Sequence, residues 1–162
     1  EQRSLRRLRP LIEQRSLNGQ YVWTHKGPLS REIQKRYGDL FMNLPDMSLS
    51  SVEIKAEEAN EYGNFYFETW SNLSRLTLGW MYTLRADVLL WHFLREDVAY
   101  AMNFPKIQHW AFRKQRIYAF PEKPQKKYTQ MNDTWGRCVP IEIIKREVGL
   151  LELDLSAELE SV

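Results

Sequence analysis

The sequence predicts a mixed α/β (α+β) fold with the element order αβββαβ: a central four-stranded mixed sheet flanked by helices. Three observations carry that expectation. The stretch "SVEIKAE" alternates apolar and polar residues, the pattern of a half-buried strand. Two further strand-like runs, "DLFMNL" and "FYFETW", flank it across short segments of turn chemistry. Beyond them "YTLRADVLLWHFL" carries apolar residues at helical spacing and precedes a fourth strand-like run, "DVAYAM".

Taken in order, "GPLSREIQKRYG" reads as a helix, with Pro28 and Ser30 at its start and Gly38 closing it. "PDMSLS" is a turn between the first two strands, and "EANEYGN", with Gly63 and Asn64, is the next. Three consecutive strands joined by short turns imply an antiparallel meander. "SNLSRLTLGW" is a loop, and the fourth strand returns to the sheet by a crossover through the second helix. "FPKIQHWAFRKQ" follows as a helix with Pro105 in its first turn. "PEKPQKKYTQMND" is a loop of about a dozen residues, long enough to suggest function or mobility. "VPIEIIKREVGLL" supplies a short closing helix.

A chain of 162 residues, 43% hydrophobic, has the size of one domain with one core. The expectation is a single domain over 1–162, with its core at about 30–116 and a basic loop and C-terminal extension over 117–162. No apolar run is long enough for a bilayer span, so no membrane partner is expected. "EQRSLRRLRP" is basic but lacks the apolar stretch of a signal peptide. The single cysteine, Cys138, excludes an internal disulfide and a multi-thiolate zinc site within one chain. These features suggest an intracellular, cytoplasmic protein. The net charge of +2 hides a strong segregation. Residues 1–36 carry nine Lys/Arg against three acids, and 104–128 carry seven against one. Between them, 37–103 carry four against ten. An acidic centre between basic flanks suits cations in the middle and a polyanion on either side, although scattered solvated charge gives the same tally.

The chemistry starts from Asp39, Glu53 and Lys55. If the first two strands pair through the turn near Pro45, residues whose numbers sum to about 93 or 94 face each other, and Asp39 approaches Glu53. Two converging carboxylates repel unless a cation separates them. Mg2+ takes oxygen ligands and keeps several waters, so two carboxylates and a backbone carbonyl suffice. Lys55 shares the face of Glu53 and can pair with a phosphate or orient a water. The competing description is a solvated strand face of mixed charge.

Other candidates have plainer readings. Glu57 and Glu58 suit a solvated strand end. Glu68, among Phe67, Thr69 and Trp70, needs a partner such as Lys55 or Arg85 and could support the site through it. His25, His92 and His109 are too dispersed for zinc, and His92 suits a core position. Asp87 with Arg85 suits a helix cap or salt bridge. Lys106, Arg113, Lys114, Arg116, Lys123, Lys126 and Lys127, interleaved with Trp110, Tyr118 and Tyr128, suggest a surface tracking the phosphates of DNA.

Asp39 followed by Glu53-Ile54-Lys55 on consecutive strands resembles the PD-(D/E)XK nuclease superfamily, over roughly residues 30–116. "YGNFYFETWSN" followed by "GWMYTLRADVLL" is similar to a subset of those nucleases. The resemblance implies a restriction-endonuclease-like or Holliday-junction-resolvase-like core and a Mg2+-dependent DNA endonuclease, with Mn2+ able to substitute. It also implies the settings in which such enzymes occur: restriction, homing, resolution, phage and mobile-element replication. Asp39 and Glu53 match the metal-binding acids and Lys55 the active-site lysine. Glu32 matches a helical glutamate that completes the metal site in some members. The "PD" letters themselves occur at Pro45-Asp46, which makes Asp46 the alternate upstream acid. One site per chain implies a homodimer or larger assembly for cutting both strands. The alternative is a non-catalytic nucleic-acid-binding or assembly module that retains the fold.

Overall fold

The computed structural model describes residues 2–25, 30–125 and 132–160. Pro28, Lys126, Lys127 and Tyr128 lie outside the described residues. In chain order the elements are α1 (Gln2–Arg15), β1 (Tyr21–Trp23), α2 (Ser30–Tyr37), β2 (Leu40–Asn43), β3 (Leu49–Glu57), β4 (Asn64–Asn72), β5 (Thr77–Leu78), α3 (Trp80–Thr83), β6 (Val88–Phe93), β7 (Val98–Asn103), α4 (Phe104–Gln108), β8 (Glu122–Pro124), β9 (Trp135–Pro140), α5 (Ile141–Glu147), β10 (Leu151–Asp154) and α6 (Leu155–Glu160). The fold is mixed α/β. Two compact units divide it: residues 1–61, 85–104 and 150–162 form one, and 62–84 with 105–149 the other. Among the described residues no helix is long and apolar enough to cross a membrane.

The first unit is built on a six-stranded mixed sheet in the order β1-β2-β3-β6-β7-β10. β2 and β3 form the expected antiparallel hairpin, but with Leu40 opposite Val52 and Asn43 opposite Leu49, so facing residue numbers sum to 92 rather than the expected 93 or 94. Its turn is made by Asp46, whose Oδ1 accepts from the Ser48 amide (2.9 Å) and hydroxyl (2.6 Å). β3 and β6 run parallel, Glu53 beside Leu89 and Lys55 beside Trp91, and β7 folds back antiparallel on β6.

Alternation along β3 sends Val52 and Ile54 to one face, where they join Leu40, Met42, Leu90 and Leu153 in a buried cluster. Leu8, Leu11 and Ile12 of α1 join the same cluster. Their spacing is the stripe an amphipathic helix needs to cover a sheet. Each such side chain contributes about 1.5–3 kcal/mol through burial. The basic opening of the chain thus forms a core-covering helix that its charge does not announce.

The second unit carries a four-stranded antiparallel sheet in the order β5-β4-β9-β8. Phe65 and Phe67 stack on one face of β4 at 5.9 Å between ring centres, and both are fully buried. Trp110, Ile117, Val139 and Ile144 are buried in the same unit.

Several expectations are corrected here. "FYFETW" is a strand, but β4 pairs with β9 and β5 rather than with β3, so the three-stranded meander does not form. "YTLRADVLLWHFL" is not a helix: only Trp80–Thr83 is helical, and Val88–Phe93 is the strand β6. Its run of apolar residues is continuous rather than amphipathic, and all but the first residue of β6 are buried. A strand covered on both faces has that composition, as strands in parallel pairing usually do. β6, not "DVAYAM", is accordingly the strand that returns parallel to β3. "DVAYAM" is β7, "FPKIQHWAFRKQ" is α4 with a π-helical turn over His109–Arg113, and "VPIEIIKREVGLL" contains α5. Part of the expected proline- and lysine-bearing loop is the edge strand β8.

Candidate functional site

The face of β3 opposite the buried cluster presents Glu53, Lys55 and Glu57. Continuing the hairpin register one step beyond the Leu40–Val52 pair sets Asp39 opposite Glu53, on that same face. Asp39 is held by its whole surroundings. Its amide donates to the Val52 carbonyl at 2.8 Å, and its own carbonyl accepts from the Thr24 amide at 2.9 Å. Its carboxylate Oδ2 accepts from the Ile54 amide at 2.8 Å, and Oδ1 accepts from Gln34 Nε2 at 2.8 Å. Asp39 lies just before β2, so its side chain takes over an amide that the strand ladder no longer serves.

The turn into β2 demands glycine. Gly38 has φ +99°, and a Cβ there would stand 2.7 Å from the Val52 carbonyl oxygen and 2.8 Å from the Glu53 nitrogen. The close approach of backbones that excludes a side chain at Gly38 is what brings Asp39 against β3.

Glu53 and Lys55 form an ion pair, Oε1 to Nζ 2.5 Å, with side chains 12% and 27% exposed. They stand two residues apart on one strand face, the geometry alternation gives. Glu57, expected as a solvated strand end, has a defined role: it accepts the indole N–H of buried Trp91 at 3.1 Å. Asp87 caps no helix. It precedes β6, where its Oδ2 accepts from the Ser51 amide at 2.9 Å and the Ser51 hydroxyl at 3.2 Å.

Glu32 is exposed on α2. It lies two residues from Gln34, about 200° around a helix of 3.6 residues per turn. The α2 face that meets Asp39 is therefore that of Gln34, a residue that carries no charge and belongs to no motif. Helical geometry was the one signal that could have selected it. Asp46 sits in the exposed hairpin turn, with its carboxyl held below the ordinary range by the Ser48 hydroxyl and amide. That places it at the end of the hairpin away from Glu53.

Glu68 belongs to the second unit, where its Oε1 accepts from the Trp80 amide at 3.3 Å at the start of α3. Its strand, β4, pairs with β5 and β9 in the four-stranded sheet. Lys106, Arg113, Lys114 and Lys123 are exposed in the second unit. Arg116 is committed elsewhere: its Nε donates to Glu147 Oε1 at 2.8 Å, which holds the Glu147 carboxyl below its usual range. Trp110 is buried and donates to the same carboxylate at 3.3 Å, so its ring does not serve a nucleic-acid surface. Tyr118 is exposed, with the Arg137 guanidinium 5.3 Å from its ring centre. Lys126 and Lys127 lie outside the described residues.

The register sets the carboxylates of Asp39 and Glu53 on one face of adjacent strands, and hard oxygen donors of this kind are the type that Mg2+ or Mn2+ takes. Among the described residues no cluster of three or more His, Cys, Asp or Glu gathers as a metal cage. The protein would supply two side-chain ligands and leave the remaining positions to water and substrate. The Lys55 ammonium already supplies positive charge to Glu53, as a metal would. No family model matches the chain, and no curated protein or solved structure matches it.

Proposed function

We propose that the chain is a metal-dependent phosphodiesterase acting on DNA, with its site at Asp39, Glu53 and Lys55. The supporting observation is the juxtaposition of Asp39 and Glu53 across the hairpin with Lys55 Nζ 2.5 Å from Glu53. A site meant only as solvated surface has no need of a buried glycine turn and five hydrogen bonds to fix one aspartate. Asp39 and Glu53 would hold Mg2+ or Mn2+, which supplies Lewis acidity toward a phosphoryl oxygen and a bound water of lowered pKa. Gln34 and the Ile54 amide orient the Asp39 carboxylate. Lys55, released from Glu53, places an ammonium where negative charge grows on the phosphoryl oxygens. The exposed Lys106, Arg113, Lys114 and Lys123 would hold the DNA backbone, and two copies of the chain would be needed to cut both strands. A restriction-endonuclease-like core belongs to this same proposal.

The second reading, a DNA-binding or assembly module without cleavage, draws on Glu32, whose exposed position leaves the site one carboxylate short of the set the resemblance implies. Incubating the chain with supercoiled, linear and branched DNA, with Mg2+ or with EDTA, separates the two. Metal-dependent cleavage that disappears in Glu53→Gln supports the enzyme. Binding without cleavage under every condition selects the module.

A further inference from the structure

We propose that the arginine-lined hollow on the first two turns of α1 is a binding site for a phosphate group. It is independent of the Asp39 site, because α1 covers the opposite face of the sheet.

Arg3, Arg6 and Arg7 stand at i, i+3 and i+4 and so share one side of the helix. With His92, Leu94 and Asp97 they line a hollow of about 470 Å3. Its wall is constructed. The Arg7 Nε donates to both Asp97 oxygens, at 2.9 and 2.8 Å, and Arg3 Nη1 stands 3.2 Å from Glu58 Oε2. Arg6 is exposed and has no ion-pair partner among the described residues. Three guanidinium groups thus stand against two carboxylates, Asp97 in the wall of the hollow and Glu58 beside Arg3, and Arg6 carries the unpaired charge.

A second, independent feature points to an absent partner. His92 is fully buried, with Nδ1 2.7 Å from the Ser4 hydroxyl oxygen. Its Nε2 has no hydrogen-bond partner among the described residues. Asp97 Oδ1, at 3.5 Å, is too distant to serve. An unsatisfied buried nitrogen is costly. An anion drawing on Arg7 weakens the hold of Arg7 on Asp97 and lets that carboxylate close on Nε2. The hollow is therefore arranged so that an incoming oxyanion satisfies Arg6 directly and His92 at one remove. Planar guanidinium forks on one helix face match the several acceptor oxygens of phosphate. The phosphate can be a free anion or part of a nucleic-acid backbone.

The test is titration calorimetry of the full chain at fixed ionic strength, with inorganic phosphate in one arm and a short single-stranded oligodeoxynucleotide in the other. Arg6→Glu is compared with Lys145→Glu, the same charge change at an exposed site on α5 in the other unit. Saturable binding weakened about tenfold or more by Arg6→Glu, but not by Lys145→Glu, supports the site, on the scale of one charge-assisted hydrogen bond removed. Binding of phosphate itself identifies a free anion as sufficient; binding of the oligonucleotide alone, with the same weakening, assigns the phosphate to a backbone. A shift of the His92 ring resonances on addition of ligand reports the coupling to Asp97. Absence of saturable binding in both arms, or equal weakening in both variants, overturns the proposal. Arg6 makes no contact that folding needs, so its variant remains a fair test.

Discussion

In the proposed site, Lys55 and a metal ion would compete for the Glu53 carboxylate. With its ammonium 2.5 Å from Glu53, a metal ion must displace it before Glu53 can act as a ligand. Lys55→Met is therefore expected to tighten Mn2+ binding in calorimetry while slowing single-turnover DNA cleavage by on the order of a hundredfold. Weaker Mn2+ binding in that variant would show that Lys55 assists the metal rather than opposing it. A separate expectation concerns acid. Burial pushes the His92 imidazole below its ordinary value, and Arg7 holds the Asp97 carboxyl below its own. In both cases the unfolded chain binds the proton more readily. Stability is thus full above the unfolded pKa of each group and is lost as pH falls through it toward the folded value. For His92 the loss begins near about pH 6.5, and for Asp97 near about pH 4. Thermal melts between about pH 7 and pH 5 should show a falling midpoint in the native chain and a flatter profile in His92→Gln. An equal slope in both would remove His92 from this role.

At the level of the element, the hairpin and the turn that opens it decide where Asp39 lies. Gly38 and Gly149 both adopt left-handed backbone, at φ +99° and +96°, but only at Gly38 does a Cβ meet other atoms. Gly149→Ala should cost roughly 1–2 kcal/mol, the strain of that conformation. Gly38→Ala adds a clash with the Val52 carbonyl and should cost more, with a lower urea midpoint as the measurement. It should also weaken Mn2+ binding, because the backbone that must move carries Asp39, whereas Gly149→Ala should leave the metal affinity unchanged. If the two variants behave alike, the turn at Gly38 is not what positions the site.

For the whole molecule, charge segregation along the chain sets two basic segments on either side of an acidic one. Neutralising Lys106, Arg113, Lys114 and Lys123 singly should weaken DNA binding for every sequence. Each cation withdrawn from a phosphate should flatten the salt dependence by about one unit of slope. Arg116→Ala should change the salt slope least, since its guanidinium is paired with Glu147, and should instead lower stability modestly. Fluorescence anisotropy over a series of salt concentrations measures the slope, and thermal melts the stability. A salt slope that no variant alters would return these residues to the role of solvated charge.

Local pattern alone determined the β2–β3 hairpin, the face shared by Glu53 and Lys55, and the approach of Asp39, because alternation and a short turn are properties of neighbouring residues. The same holds for β7, α4 and α5, whose periods and end signals lie within each segment. What only the tertiary structure decided is pairing at a distance. β4 leaves its sequence neighbour β3 for the distant β9, since Phe65 and Phe67 are buried in the second unit and a hydrogen-bond ladder carries no address in the sequence. β6 is a strand rather than a helix because both its faces are covered, a circumstance that a continuous apolar run does not reveal. Gln34 reaches Asp39, and Glu32 does not, because the rotation of α2 is set by what it packs against. Residue types and spacing carry local geometry; burial and long-range pairing are properties of the folded chain and are settled only when distant segments meet.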